Sequence, residues 1–276
     1  VNRLKWMKDV LSPALSKAIK KMEEGLNVNV IVAKAITMGD EFHQRNIAAS
    51  ALFLKEVMPY LLEAGISDNE LKQVTKFLAD TDQFFLNVMM ATCKVVMDSA
   101  RTIEEGSIVT ALTRNGYEFA IRVSGLGDRW FTAPVNTPEG LFFSGYSQED
   151  TNPDMGDSAI TEAFGVGGMA MIAAPGVTRF VGAGGFDDAV AVSEEMSEIC
   201  IGKNTNYSIP TWNFQGTCLG IDIRKVVETG ITPVINTGIA HKKAGIGQIG
   251  AGTVRVPLGC FTKALEALAE KYGVEV

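Results

Sequence analysis

Ile108-Val109-Thr110-Ala111-Leu112-Thr113-Arg114-Asn115-Gly116-Tyr117-Glu118-Phe119-Ala120-Ile121-Arg122-Val123 is the stretch that decides the fold class. Two β-rich runs, 108–113 and 117–123, flank Arg114-Asn115-Gly116. Asn and Gly both tolerate positive φ, so Asn-Gly between such runs predicts a tight hairpin. Upstream of it the periodicity is helical. Leu4, Met7, Leu11, Leu15, Ala18, Ile19 and Met22 recur at spacings of three and four. Ser12-Pro13 fits an N-cap with proline at the first helical position, which would restart the helix there, and Gly25 is a natural stop. Ser67 to Glu70 spells a capping box ahead of Leu71, Val74 and Leu78. A further helix is expected over 82–100, with Phe85, Val88, Met89, Val95 and Val96 available for burial. Pro59 should kink or divide a helix starting near Glu41.

Downstream, short strands are expected around 130–133, 141–144, 209–214, 219–223 and 232–237, with helices over 158–172, 189–199 and 261–272. Hairpins mixed with long helices favour an α+β class over a regular doubly wound sheet. The division expected is a helical domain over 1–105, then a glycine-rich, mixed and largely antiparallel α/β domain over 106–276.

Composition narrows the function classes. Hydrophobic residues make up 46% of the 276, enough to fill a core. The formal charge is −7 and no basic run is longer than two residues, as at Lys242-Lys243, so nucleic acid is not an expected partner. Cys93, Cys200, Cys218 and Cys260 form no CxxC pair and no zinc spacing; they read as inert buried thiols in a reducing cytosol. With only His43 and His241 there is no multi-histidine metal centre, although a carboxylate site for a hard cation stays possible. No metal or cofactor is assigned. The most apolar stretch, 165–177, is too short for a membrane helix and is broken by glycines and Pro175. No signal peptide is visible, so a cytoplasmic protein is expected.

The richest polar cluster is Met38-Gly39-Asp40-Glu41-Phe42-His43-Gln44-Arg45-Asn46. Asp40 can cap a helix, and Glu41 with Arg45 can form an i,i+4 salt bridge. His43, Gln44 and Asn46 then carry more hydrogen-bonding capacity than a helix start needs. A neutral imidazole beside a guanidinium could hold a small anion or polarise its carbonyl. Arg122 and Arg129, near a glycine-flexed turn, could bind phosphate or carboxylate or simply form surface ion pairs. Asp157 or Ser158 is the expected N-cap of the next helix, whose free N–H groups could meet an anion. Gly167 and Gly168 allow close backbone approach, to a ligand or to another chain segment. Gly245-Ile246-Gly247-Gln248-Ile249-Gly250 spells GxGxxG, but the extended run 253–257 after it argues against a dinucleotide fingerprint. A small-molecule pocket formed by Gly247 and Gln248 with Thr237, Gly238 and His241 fits better. Gly-x-Ser-x-Gly, Walker A and His-Glu-x-x-His are all missing from the sequence.

Taken together, 39–46, Arg114-Asn115-Gly116, 122–131, 152–158 and Asn236-Thr237-Gly238-Ile239-Ala240-His241 resemble the YlbE/YahG-like family. The resemblance spreads over nearly the whole chain and implies that it is the C-terminal part of a longer protein with a further N-terminal domain. It also implies a gene neighbourhood of FdrA-like proteins and carbamate kinases. The implied activity is carbamoyl transfer between carbamoyl phosphate and oxamate, giving oxalurate and phosphate. That reaction would run in a multi-subunit enzyme with an FdrA-like partner, homo-oligomers being allowed. Such chemistry needs anion grips, a polarised carbonyl and an aligned nitrogen, and no covalent nucleophile or metal. By residue type, His43, Arg45 and His241 are the catalytic candidates. Asp40, Glu41, Asn46, Arg122, Arg129, Asp157, Ser158, Gly167, Gly168, Thr237, Gly238, Gly247 and Gln248 are the candidates for substrate binding. The alternatives are a non-catalytic structural subunit and a small-anion sensor.

Overall fold

The computed structural model describes residues 2–274. α1 (Asn2–Trp6), a π-helical turn at Met7–Leu11 and α2 (Ser12–Ile19) run on as one rod. The helix therefore does not restart at Ser12, which has helical φ −62° and ψ −46°. The wider π turn just before Pro13 absorbs the missing proline N–H and the ring's bulk. Gly25 does adopt the left-handed conformation, φ +71°, after the rod has ended. α3 (Val28–Thr37) follows, then α4 (Ile47–Leu62), α5 (Asp68–Asp80) and α6 (Phe85–Arg101). α4 begins at Ile47 and not near Glu41, and it passes unbroken through Pro59. The Ser67–Glu70 capping box at α5 is present in both directions. On α6 the buried stripe is Phe85, Met89, Cys93 and Met97, every fourth residue. Val95 and Val96, expected inside, lie off that stripe and face solvent.

β1 (Val109–Asn115), β2 (Glu118–Val123) and β3 (Trp130–Pro134) form an antiparallel meander, with the hairpin at Asn115-Gly116 as expected. β4 (Glu139–Phe142) leaves this sheet, and β5 (Met155–Gly156) returns to pair with β1. α7 (Ile160–Phe164) is short. The single helix expected over 158–172 breaks at Gly165, φ +107°, where an added Cβ would lie 1.9 Å from the Cys218 carbonyl oxygen. A 3-10 segment (Gly167–Ala173), α8 (Pro175–Phe180) and α9 (Phe186–Glu198) continue from it. β6 (Cys200–Ile209) and β7 (Gln215–Ile221) pair as a two-stranded ribbon. The strand expected at 209–214 is instead a 3-10 turn, Pro210–Trp212, inside that ribbon's connection. α10 (Ile223–Thr229), β8 (Val234–Ala240), β9 (Gln248–Arg255) and α11 (Leu258–Lys271) complete the order. β4, β9 and β8 make a second antiparallel sheet.

The class is α+β: helices to Arg101, then antiparallel sheets with helices packed on them. One buried cluster runs from Leu11 through Phe42, Phe85 and Phe119 to Phe261 and Leu268. Among the described residues no helix is long and apolar enough to cross a membrane.

Candidate functional site

The polar segment 38–46 is a loop between α3 and α4, shaped by positive φ at Gly39 (+99°) and Phe42 (+70°). Glu41 organises it. Its Oε1 accepts from the backbone N–H groups of His43 (3.0 Å), Gln44 and Arg45 (2.7 Å), while Oε2 accepts from Asn236 Nδ2 at 2.9 Å. The carboxyl is fully enclosed, and burial pushes its pKa up from the ordinary value. Asp40 Oδ2 accepts from the N–H of Ala49 at 2.8 Å, so it caps α4 from nine residues away. Burial raises Asp40 as well, against the opposing pull of the Ala49 and Ala48 N–H groups and the Arg45 guanidinium. The helix start expected at Glu41 and the Glu41–Arg45 ion pair are thus both corrected. Glu41 binds its own loop's backbone, and Arg45 Nε faces Asp40 Oδ1 at 3.5 Å.

His43 lies across from Glu162 of α7, with Nδ1 2.6 Å from Oε1. The same oxygen accepts from the N–H groups of Gly168 (2.9 Å) and Asn236 (3.2 Å), and the Thr161 hydroxyl lies 2.9 Å from Oε2. Oε1 already accepts from two backbone N–H groups, which assigns the ring hydrogen to Nδ1 as a third donor to it and leaves Nε2 as the other working nitrogen. Gly167 (φ +64°) makes the pair possible, because a Cβ there would sit 2.2 Å from Glu162 Oε1 and 3.1 Å from His43 Cβ. At Gly168 a Cβ would meet the Val234 carbonyl oxygen at 2.2 Å. Of the two uses open to these glycines, the structure shows approach to other chain segments.

A second buried network lies on the other face of β8, since neighbouring strand residues point oppositely. Arg114 Nε donates to Asp154 Oδ2 (2.6 Å), and its Nη2 donates to Thr237 Oγ1 (3.2 Å). Thr237 Oγ1 donates in turn to Asp154 Oδ1 at 2.7 Å. Arg114 Nη1 reaches Ser158 Oγ at 3.4 Å. Sequence reasoning missed Arg114, Asp154, Glu162 and Asn236 as site residues. A signal existed for two of them. Arg114 shares its strand face with Leu112, and Glu162 sits in the otherwise uncharged run Ile160–Phe164; a charge in an inward position needs a partner.

The remaining candidates do not converge. Arg45 borders an open cleft of about 340 Å3, shared with Gly39, Ala173, Pro175, Gly176 and Thr211. His241 lies beyond the end of β8, its Nδ1 accepting from the Lys243 N–H at 2.7 Å and its Nε2 3.9 Å from Asp150 Oδ1. Arg122 pairs with Asp98 at 3.0 Å and stacks on Trp130; Arg129 lies exposed over Phe131. Asp157 is exposed, and the N-cap position of α7 is Ala159 without a side-chain cap, contrary to expectation. Asn46 Nδ2 donates to Gln83 at 2.8 Å, while its Oδ1 is buried without a partner. Gly247 (φ +90°) and Gln248 close the β8–β9 hairpin, with the Gln248 side chain over Gly238, so GxGxxG is a turn between antiparallel strands. Among the described residues no group of three or more His, Cys, Asp or Glu is placed to hold a metal.

Residues 1–158 match the family model described as oxamate carbamoyltransferase subunit AllG. The chain is 65% identical over 274 residues to the oxamate carbamoyltransferase subunit AllG of Escherichia coli (strain K12), covering 99% of this chain and 65% of that protein. It is 45% identical to the uncharacterized protein YahG of the same strain, covering 99% and 58%. A crystal structure of a conserved protein of unknown function from Enterococcus faecalis V583 superposes with a TM-score of 0.94 at 46% identity, over 98% of this chain and 64% of that one. The chain thus spans about two thirds or less of each of these relatives. The chain belongs to the oxamate carbamoyltransferase subunit AllG family.

Proposed function

We propose that this chain is part of a cytoplasmic oxamate carbamoyltransferase, working in a complex with an FdrA-like partner. In the reaction the oxamate nitrogen attacks the carbamoyl carbon, the bond from that carbon to the phosphate oxygen breaks, and the nitrogen loses one proton. The reverse direction cleaves oxalurate with phosphate. The observation that carries this reading is the 65% identity to a named subunit across 274 residues. The geometry adds a group suited to the proton. His43 is held through Nδ1 by Glu162, so Nε2 can take or return a proton while the imidazole keeps its orientation.

The test uses the full-length protein co-purified with its partner subunits, supplied with oxalurate and phosphate, with carbamoyl phosphate as the product followed. Turnover is expected, and His43→Gln is expected to lower kcat by roughly 100-fold or more, the usual worth of a positioned acid or base. A complex with no turnover in either direction rejects the activity.

A second reading is favoured by the separation of His43, Arg45 and His241. In it the chain supports the complex and the chemistry sits on the partner. An active complex whose kcat is untouched by His43→Gln would select that reading.

A further inference from the structure

The cleft between the 36–45 segment and the α8 start differs from the other polar groups in being both open and charged on one side only. Its single charged lining residue is Arg45; the rest of the wall is apolar side chain, threonine and backbone. The Arg45 side chain is 43% exposed, and its terminal nitrogens have no hydrogen-bond partner among the described residues. Its Nε is enclosed and also unpartnered, 3.5 Å from Asp40 Oδ1, which is itself buried without a hydrogen bond. That distance is a charge contact and falls short of a hydrogen bond. Asp40 is in turn pinned by the N–H of Ala49, so the guanidinium is tethered at its base while its fork stays free.

We infer that this cleft binds a small carboxylate, gripped by the Arg45 guanidinium fork. The ligand class follows from charge and size. A free fork matches the two oxygens of a carboxylate. Arg45 brings one positive charge to an otherwise uncharged wall, so a monoanion meets it one for one, whereas a dianionic phosphate would leave a charge unbalanced. A space of about 340 Å3 lies at the small end of ligand pockets and suits an acid of a few heavy atoms. The inference rests on the transferase reading only for naming oxamate as the acid. A second handle on the cleft is Gly176, where an added Cβ meets nothing within 4 Å and no positive φ is required. A larger side chain there adds bulk to the cleft's lining without straining the backbone.

The experiment is calorimetric titration of the full-length protein with oxamate and, in a separate arm, with inorganic phosphate. Saturable oxamate binding is expected, weakened at least tenfold in Arg45→Ala and in Gly176→Leu, weakened in Arg45→Lys, and unchanged in the exposed control Lys72→Ala. Circular dichroism melts of each variant check folding, and Gly176→Leu should melt with the wild type. Oxamate binding that survives both cleft variants, tighter binding of phosphate than of oxamate, or no oxamate binding at all overturns the inference. Turnover of the complex is measured independently. Active complex with an unchanged KM for oxamate in Arg45→Ala removes the cleft and leaves the transferase; oxamate bound at Arg45 without turnover does the reverse.

Discussion

Glu41 and Asp40 are enclosed carboxyls whose pKa values burial holds above the ordinary 4.5 and 3.8. The native state therefore keeps these protons at pH values where the unfolded chain has released them. Stability from such a group is present below the unfolded pKa and is lost as pH rises through the raised native one. Urea unfolding across pH is expected to show this as a slope that falls with rising pH above about 4.5, carried by the difference between wild type and Glu41→Gln. A difference curve that rises over that range contradicts the assignment. Gly167 supplies a second residue-scale prediction. Ala at that position adds a methyl in contact with Glu162 and His43 and forces a positive φ, so Gly167→Ala is expected to cost about 3 kcal/mol in urea unfolding. A loss below about 1 kcal/mol would mean that the His43–Glu162 contact yields easily.

α5 shows what local chemistry can reveal. Ser67 and Glu70 exchange hydrogen bonds in both directions, and the sequence displays that box unaided. Ser67→Ala is expected to lower stability by about 1 kcal/mol without changing the denaturant m value. The Asn115-Gly116 hairpin, α9 and α11 were legible for the same reason, because their signals lie within a few residues of one another. Structure departs from local sequence pattern where distant groups decide. Asp40 looks like a cap for the residue after it, but its oxygen goes to Ala49. α4 starts late because Glu41 has already taken the N–H groups of 43–45. The 158–172 region reads as one helix until Gly165 meets the Cys218 carbonyl. β6 gives no strand signal because Gly202-Lys203-Asn204-Thr205-Asn206 shows no apolar alternation. In the candidate site, the 39–46 cluster was visible as surplus polarity, whereas its partners Glu162 and Asn236 were hidden by distances of more than a hundred residues.

Across the whole molecule, one buried cluster joins the rod of α1 and α2 to α11, and two polar networks cross it at β8. We expect unfolding to be a single transition. Variants keeping only Trp6 or only Trp212 should report the same urea midpoint by fluorescence, and two separated midpoints would show that the parts melt independently. Both networks also depend on the pairing of β8 with β9, because Asn236 and Thr237 serve opposite faces of the strand. A one-residue slip would exchange those faces and abolish both networks together. The Glu41–Asn236 bond has a further consequence for synthesis, since its partners are separated by 195 residues. At roughly 5–20 residues per second, translation of that interval takes on the order of 10–40 s. Throughout it the nascent loop holds a carboxylate destined for burial but still lacking its distant amide, so the 39–46 segment is among the last parts of the growing chain to reach its final form.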